Sequence, residues 1–176
     1  AKDAGLTADQ VSRLKLKWAF GLPGGRATHG QPTIVSGRVF VGSDVGWVYS
    51  LDAKTGCVYW SVPLKAGMRN AITIAPVTGR GTTKYAAFFG DLKANAYAVD
   101  AQTGQILWTT KVDDHYGSRV TGAPTVYGGM VFVPMAKWEA NSAKLLSYAC
   151  CTMRGSVTAL DANTGRQVWK HYTIEE

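Results

Sequence analysis

A ten-residue pattern that occurs three times constrains the fold of this 176-residue chain more than any other feature. Each copy has an apolar residue, then Asp-Ala-x-Thr-Gly, then a short stretch that ends on Trp. Asp side chains bond to their own backbone in turns, and Gly supplies a turn position with φ > 0, so each copy predicts a β-hairpin. The tryptophans are 48 and then 61 residues apart, a period typical of propeller blades or of a β-solenoid. The copies are Leu51–Trp60, Val99–Trp108 and Leu160–Trp169.

Short apolar runs bounded by turn residues predict four strands in each repeat. Four antiparallel strands about every 50 residues are typical of a propeller blade rather than of a sandwich or a β-helix. The predicted fold is therefore an all-β propeller, with an insertion at 134–154 that lengthens the third blade. The strands of the first repeat are predicted at 32–35, 38–42, 47–52 and 57–61. The three blades are predicted at about 31–61, 72–109 and 121–170.

The N-terminal part of the chain predicts an arm over 1–13, and a partial propeller follows over 14–176. Thr7-Ala8-Asp9-Gln10 is typical of a capping box, which predicts a short helix at about 8–13. The alternation at 14–20 predicts a strand, and its Trp suggests the closing strand of a further blade. Propellers have about 4–8 blades, so three blades and one strand cannot close a ring. We therefore expect a longer protein, or a second chain that completes the ring.

Composition and charge exclude some classes of protein. The net charge of +7 comes from 19 basic and 12 acidic residues, but the basic residues are scattered, which favours a solvated surface over a nucleic-acid site. No apolar run approaches the ~20 residues of a membrane helix. No signal peptide is visible, so we expect a mature or cytosolic chain. The three cysteines have neither a zinc-like spacing nor a C-x-x-C-H haem motif.

The repeats resemble those of the pyrroloquinoline quinone (PQQ) dehydrogenase propellers, whose blades carry an A-x-D-x-x-T-G-x-x-x-W hairpin. The second and third copies match this pattern in full, and the first has Ser50 at the leading Ala. Three further stretches resemble the polyvinyl-alcohol dehydrogenase branch of that family. They are Gly56–Trp60, Met68–Ile72 and Tyr148–Gly155.

This resemblance implies an eight-bladed ring that oxidises an alcohol, polymeric or secondary, with PQQ and Ca²⁺ in the periplasm. It also implies a cytochrome c as a candidate electron acceptor. In the family, the catalytic Asp, a second Ca²⁺ ligand and a stacking Trp come from later blades, so no catalytic residue is assigned and the segment alone is expected to be inactive. The competing interpretation is a propeller without cofactor that binds proteins, because non-enzymatic scaffolds share the repeat.

Two residues match the family's cofactor and metal positions. The resemblance implies that Thr121, at the head of an inner strand, bonds to PQQ and that Glu139, eighteen positions later, ligates the Ca²⁺. A hard cation prefers carboxylate oxygen, which suits this role. The alternative is that Thr121 satisfies a strand end and that Glu139 is a solvated loop acid. The family has small residues just before this Glu, where the chain has Ala136-Lys137-Trp138.

Four more residues are candidates for contact with PQQ. The adjacent Cys150 and Cys151 can form a vicinal disulfide or a free dithiol. Relatives stack such a disulfide on PQQ, but theirs lies one blade earlier, so a structural role is an alternative. Arg69 and Arg154 could each pair with a PQQ oxygen, because guanidinium groups suit planar oxygen groups. Either arginine could equally lie at the surface.

Two histidine-containing loops are interpreted as structural. His29 stands where methanol-oxidising relatives have a Glu, and could replace it as a hydrogen-bond donor, but a loop histidine is the simpler account. Asp113-Asp114-His115 could form a metal cluster, but the polar residues around it favour a solvated loop.

Overall fold

The computed structural model describes residues 5–174, so the outermost parts of the predicted arm and propeller, at 1–4 and 175–176, lie outside the described residues. Thirteen strands and two short helices make up the regular structure of this range. The elements are α1 (Ala8–Val11), β1 (Thr33–Val35), β2 (Arg38–Gly42), β3 (Trp47–Asp52), β4 (Val58–Pro63), β5 (Thr73–Pro76), β6 (Tyr85–Gly90), β7 (Asn95–Asp100), β8 (Ile106–Lys111), β9 (Ser118–Arg119), β10 (Thr125–Tyr127), β11 (Met130–Lys137), α2 (Glu139–Ser142), β12 (Ser156–Asp161) and β13 (Gln167–Tyr172).

The strands form three antiparallel sheets, each with its strands in chain order. The orders are β1-β2-β3-β4, β5-β6-β7-β8 and β10-β11-β12-β13, and β9 adds a short pairing to β11. The first strands lie next to one another, because the hydroxyl of Thr33 bonds to the carbonyl of Ile72 and that of Thr73 to the carbonyl of Pro124. The predicted all-β architecture with three four-stranded blades is confirmed, and the described sheets form an open part of a propeller.

The three predicted hairpins form in the same way. In the first, Oδ1 of Asp52 accepts hydrogen bonds from the backbone N–H groups of Lys54 and Thr55, both at 2.8 Å. Gly56 has φ +75° and donates its N–H to the carbonyl of Asp52. The register then shifts between Ser50 and Leu51, and equivalent shifts occur in the other two sheets. The repeated sequence therefore produces a repeated bulged turn.

Each hairpin receives a Trp from the preceding part of the chain. The indole N–H donates to the carbonyl of the hairpin's Ala, and the ring lies against the hairpin's Gly. The pairs are Trp18 with Ala53 at 3.2 Å, Trp60 with Ala101 at 3.2 Å, and Trp108 with Ala162 at 3.0 Å. This confirms that the motif Trp packs against the hairpin of a neighbouring blade. In the third sheet, against which no described hairpin packs, Trp169 is 41% exposed, whereas Trp60 and Trp108 are 8% exposed.

The middle sheet is buried on both faces because it lies between the other two. Alternate residues of β6 point to opposite sides, so Ala87 and Phe89 pack against the first sheet while Ala86 and Phe88 pack against the third. This explains why the sequence of β6, Tyr-Ala-Ala-Phe-Phe-Gly, is continuously apolar rather than alternating. Two cores between three sheets thus hold the blades together.

Three predicted boundaries differ from the structure. The segment 14–20 is not a strand, because no described strand lies beside it to pair with; instead, Trp18 and Phe20 pack on the first sheet. The predicted helix at 8–13 is shorter, Ala8–Val11, although its capping box between Thr7 and Gln10 forms. The strand before the insertion runs on to Lys137, because its last two residues pair with β9.

The close contact between Trp and Gly predicts which glycine substitutions damage the fold. Gly165 and Gly129 both have positive φ, +72° and +76°, but a Cβ at Gly165 would lie 2.5 Å from the Trp108 ring, whereas one at Gly129 would meet nothing within 4 Å. Gly129→Ala should lower the free energy of unfolding by about 1–2 kcal/mol through backbone strain. Gly165→Ala should lower it by about 1–3 kcal/mol more, because the indole must move.

Urea unfolding of the two variants measures this difference. Equal losses of stability would contradict the conclusion that the indole contact fixes the position of the hairpin.

Candidate functional site

The candidate residues lie at one end of the three sheets. We call this end the upper face; it comprises the β2–β3 and β6–β7 turns, the connections 64–72 and 112–124, and the segment 138–155 between β11 and β12. The Asp-Ala-x-Thr-Gly hairpins lie at the opposite end, because successive strands are antiparallel. The candidates on the upper face are Arg69, Thr121, Glu139, Cys150, Cys151 and Arg154.

Glu139 is a buried carboxylate at the start of α2, with 1% of its surface exposed. Its Oε1 accepts hydrogen bonds from the Tyr148 hydroxyl and from the Thr152 N–H, both at 2.7 Å. The Thr152 hydroxyl also donates to Oε1, at 3.3 Å, and the Met153 N–H donates to Oε2 at 3.0 Å. The alternative interpretation of Glu139 as a solvated loop acid is therefore wrong, because helix α2 and the segment around Tyr148 enclose the side chain.

These donors determine the ionisation of Glu139. The hydrogen bond from Tyr148, followed by those from the N–H groups of Thr152 and Met153, lowers the pKa of Glu139 from 4.5 to about 2, against an opposing effect of burial. The bonds to Tyr116 and then to Glu139 raise the pKa of Tyr148. Glu139 is thus ionised and Tyr148 neutral across the physiological range.

Two residues of the connection 112–124 extend this network. A ring nitrogen of His115, Nε2, lies 2.9 Å from the Thr152 hydroxyl, and the Tyr116 hydroxyl bonds to that of Tyr148. No repeat in the sequence points to this group, because its members lie in connections that differ from blade to blade. The insertion at 134–154, which makes the third repeat longer than the other two, was the sequence feature that pointed to this region.

The described residues do not fit a Ca²⁺ site. No three His, Cys, Asp or Glu side chains within residues 5–174 are grouped so that they could hold a metal ion. Four protein donors already bond to the carboxylate of Glu139. Ca²⁺ prefers 6–8 oxygen ligands, so a single carboxylate that already accepts hydrogen bonds is a poor Ca²⁺ site.

Arg69 is the candidate that fits an oxygen-rich planar ligand. Its Nε is buried without a hydrogen-bond partner among the described residues, and its guanidinium carbon lies 5.6 Å from the centre of the Trp138 ring. Buried N–H groups normally have partners, so this donor has unused capacity. Trp138 directly precedes Glu139, and the structure therefore brings Arg69 next to the Glu139 network.

The other candidates have different surroundings, and the cysteine pair lies between residues that bond to Glu139. Thr121 is half-buried between β9 and β10. Cys150 and Cys151 form a vicinal disulfide across a cis peptide bond, and both are exposed. Arg154 packs on the Tyr172 ring at 4.0 Å, which places it at the outer strand β13 rather than beside Arg69.

The loop expected to be solvated at 113–115 is partly buried instead. The Asp113 carboxylate pairs with Lys170 of β13 and accepts a bond from the Ser118 hydroxyl at 2.6 Å. Both Asp113 and Lys170 line a polar cleft of about 490 Å³ between β8 and β13. The partner of Asp113 lies 57 residues away, which a local pattern could not reveal. His29 is exposed, in agreement with a loop histidine.

A family model described as outer membrane protein assembly factor BamB (PQQ_2) matches residues 7–86 and 76–176. The chain belongs to this PQQ-propeller family. Among curated proteins, a polyvinylalcohol dehydrogenase from Pseudomonas sp. is 44% identical over 172 residues, covering 98% of this chain and 27% of the relative. Another from Sphingopyxis sp. (strain 113P3) is 41% identical, covering 97% of this chain and 26% of the relative.

A solved structure of a europium-containing methanol dehydrogenase is also similar to this PQQ propeller. It superposes with a TM-score of 0.75 at 28% identity, covering 97% of this chain and 29% of that chain. The predicted resemblance to quinoprotein alcohol dehydrogenases, including the polyvinyl-alcohol branch, is confirmed. The chain spans about a quarter of the length of the curated relatives. Within residues 5–174, no helix is long and apolar enough to cross a membrane.

The lowered pKa of Glu139 predicts how its contribution to stability depends on pH. Because the folded-state pKa lies below the ordinary value, this contribution is present above pH 4.5 and is lost as the pH falls towards 2. Glu139→Gln removes the titrating group. The melting temperature of the wild type should therefore exceed that of the variant clearly at about pH 6 and by less at about pH 2.5.

Thermal unfolding of both proteins at the two pH values checks this. The acidic hairpin residues titrate in both proteins and cancel in the comparison. A gap that does not narrow at low pH would show that the charge of Glu139 does not stabilise the fold.

Proposed function

We propose that this chain forms part of a PQQ-dependent alcohol dehydrogenase of the periplasm that acts on a polymeric or secondary alcohol. The observation that carries the proposal is the identity of 44% and 41% to two polyvinylalcohol dehydrogenases over nearly the whole chain. Both matches extend through the insertion, where the propeller fold by itself imposes no sequence.

The upper face supplies the residues that would hold the cofactor. Arg69 has a buried N–H without a partner in the described chain and is well suited to a carboxylate or carbonyl of PQQ. Thr121 offers a hydroxyl in the connection before β10, and the exposed Cys150–Cys151 pair offers a sulfur surface. PQQ, when bound, would supply the redox chemistry by accepting hydride from the alcohol, while these residues bind and orient it.

The remaining parts of the proposal concern the whole enzyme. The whole enzyme would contain Ca²⁺ and a catalytic base. The described residues do not form the metal site, and no catalytic base is assigned among them. The other blades would come from the same protein or from a second chain, and a cytochrome c is the proposed electron acceptor. Arg154 stays a predicted cofactor contact, although its packing on Tyr172 of β13 argues against this role.

A protein-binding scaffold is the second candidate function. It is favoured by the description of the matching family model as an outer membrane assembly factor. A scaffold has no need for an unpartnered buried donor at Arg69, whereas a cofactor site does. Binding of PQQ therefore separates the two functions.

We expect PQQ with Ca²⁺ to raise the melting temperature of the purified protein and to quench the fluorescence of Trp138. A ligand at 100 times its Kd stabilises the folded state by about 2.7 kcal/mol. Arg69→Ala should weaken PQQ binding by about tenfold or more, because a hydrogen bond to a charged group is lost. Fluorescence titration measures the two dissociation constants.

Arg166→Ala is the matched control, since Arg166 is an exposed arginine in a hairpin at the opposite end of the sheets. It makes the same change in charge and should leave PQQ binding unchanged. If PQQ with Ca²⁺ neither shifts the melting temperature nor quenches fluorescence, the scaffold function replaces the dehydrogenase.

A further inference from the structure

One buried carboxylate bonds to the chain on both sides of the disulfide. Tyr148, two residues before Cys150, donates its hydroxyl to Glu139, and the two residues after Cys151 donate their backbone N–H groups. We infer that Glu139 is a positioning residue that fixes the disulfide-bearing segment 148–153 on the upper face.

The other two sheets show the same device on a shorter scale. In the first sheet, the Ser43 hydroxyl accepts the Trp47 N–H at 3.0 Å and closes the β2–β3 turn. In the second sheet, Oδ1 of Asp91 accepts the N–H groups of Lys93 and Asn95 at 2.8 and 3.0 Å. In each case a side-chain oxygen directly after the second strand accepts hydrogen bonds from N–H groups of the turn or of the first residue of the third strand.

In the third sheet the connection is far longer, and Glu139 lies four residues beyond Met135, the residue that corresponds in register to Ser43 and Asp91. It follows β11 and binds N–H groups thirteen and fourteen residues later. A longer side chain at the start of a helix suits this longer reach. The carboxylate therefore bonds to its connection in the same way as the turn acceptors of the other blades, but from a different register position.

The segment has few other attachments to the sheets. Its backbone hydrogen bonds within the described chain are local, such as that from the Cys150 N–H to the Tyr148 carbonyl at 2.9 Å. Beyond Glu139, the contacts of His115 with the Thr152 hydroxyl and of Tyr116 with the Tyr148 hydroxyl link it to the preceding blade. Both contacts involve residues that Glu139 already holds.

This inference does not depend on PQQ, because its readout is the chemistry of the disulfide. Both cysteines are exposed, so a phosphine reductant can reach them. The phosphine attacks one sulfur and breaks the S–S bond; water then supplies the oxygen of the phosphine oxide and the protons of the two thiols. A segment that opens more often is reduced faster, even where the blades remain folded. Failure of PQQ binding would leave this result unaffected.

The experiment compares the rates of disulfide reduction by tris(carboxyethyl)phosphine, followed by alkylation of the new thiols and mass spectrometry. In Glu139→Gln the amide nitrogen cannot accept a hydrogen bond, so at least one N–H or O–H donor loses its partner. We expect reduction to be about tenfold faster, with the melting temperature at neutral pH showing that the blades still unfold cooperatively. Asp114→Asn, which changes an exposed acid of the same face, should reduce at the wild-type rate.

Tyr148→Phe tests the same bond from the other side and removes only one hydroxyl. We expect reduction to be about threefold faster in this variant, which also serves if Glu139→Gln fails to fold. Wild-type reduction rates in both variants would overturn the inference.

Discussion

The contact between an indole ring and the glycine of the next hairpin is the constraint on which the rest of the structure depends. Trp60 shows both of its parts: its N–H binds the Ala101 carbonyl, and its ring lies where a Cβ of Gly104 would be. The hydrogen bond fixes the position of the ring along the hairpin, and the glycine fixes the separation of the blades. Three such contacts fix the positions of three successive hairpins relative to the segments that precede them.

Because this docking lies at one end of the sheets, the other end is free to vary. The turns of the first two sheets on the upper face are short and are closed by Ser43 and Asp91. The third sheet has an eighteen-residue segment in the same place, 138–155, closed by Glu139. Repetition therefore supports the fold, while the departures from repetition bring together the side chains that could carry a function.

This division explains how much could be predicted from the sequence. The hairpins and the packing of their tryptophans were predictable, since a few adjacent residues determine each turn and the pattern occurs three times. The surroundings of Glu139 were not, because its donors Tyr148, Thr152 and Met153 lie 9 to 14 residues away in a segment without a repeat. The prediction of a strand at 14–20 was wrong for another reason. Alternation of apolar and polar residues shows which face is buried, but a strand also needs a neighbouring strand to pair with.

The two roles considered for Glu139 compete for the same oxygen atoms. A carboxylate offers about four acceptor positions, two on each oxygen. Three hydrogen bonds from Tyr148 and Thr152 crowd Oε1, whereas the one from Met153 leaves a position of Oε2 open. A calcium ion sits about 2.3–2.6 Å from its oxygen ligands and must face a lone pair that no donor uses. A cation could use the open position of Oε2, but one that contacts both oxygens would displace a donor from Oε1 and so loosen the segment beside Cys150 and Cys151. Metal binding and the position of the disulfide are linked through one side chain.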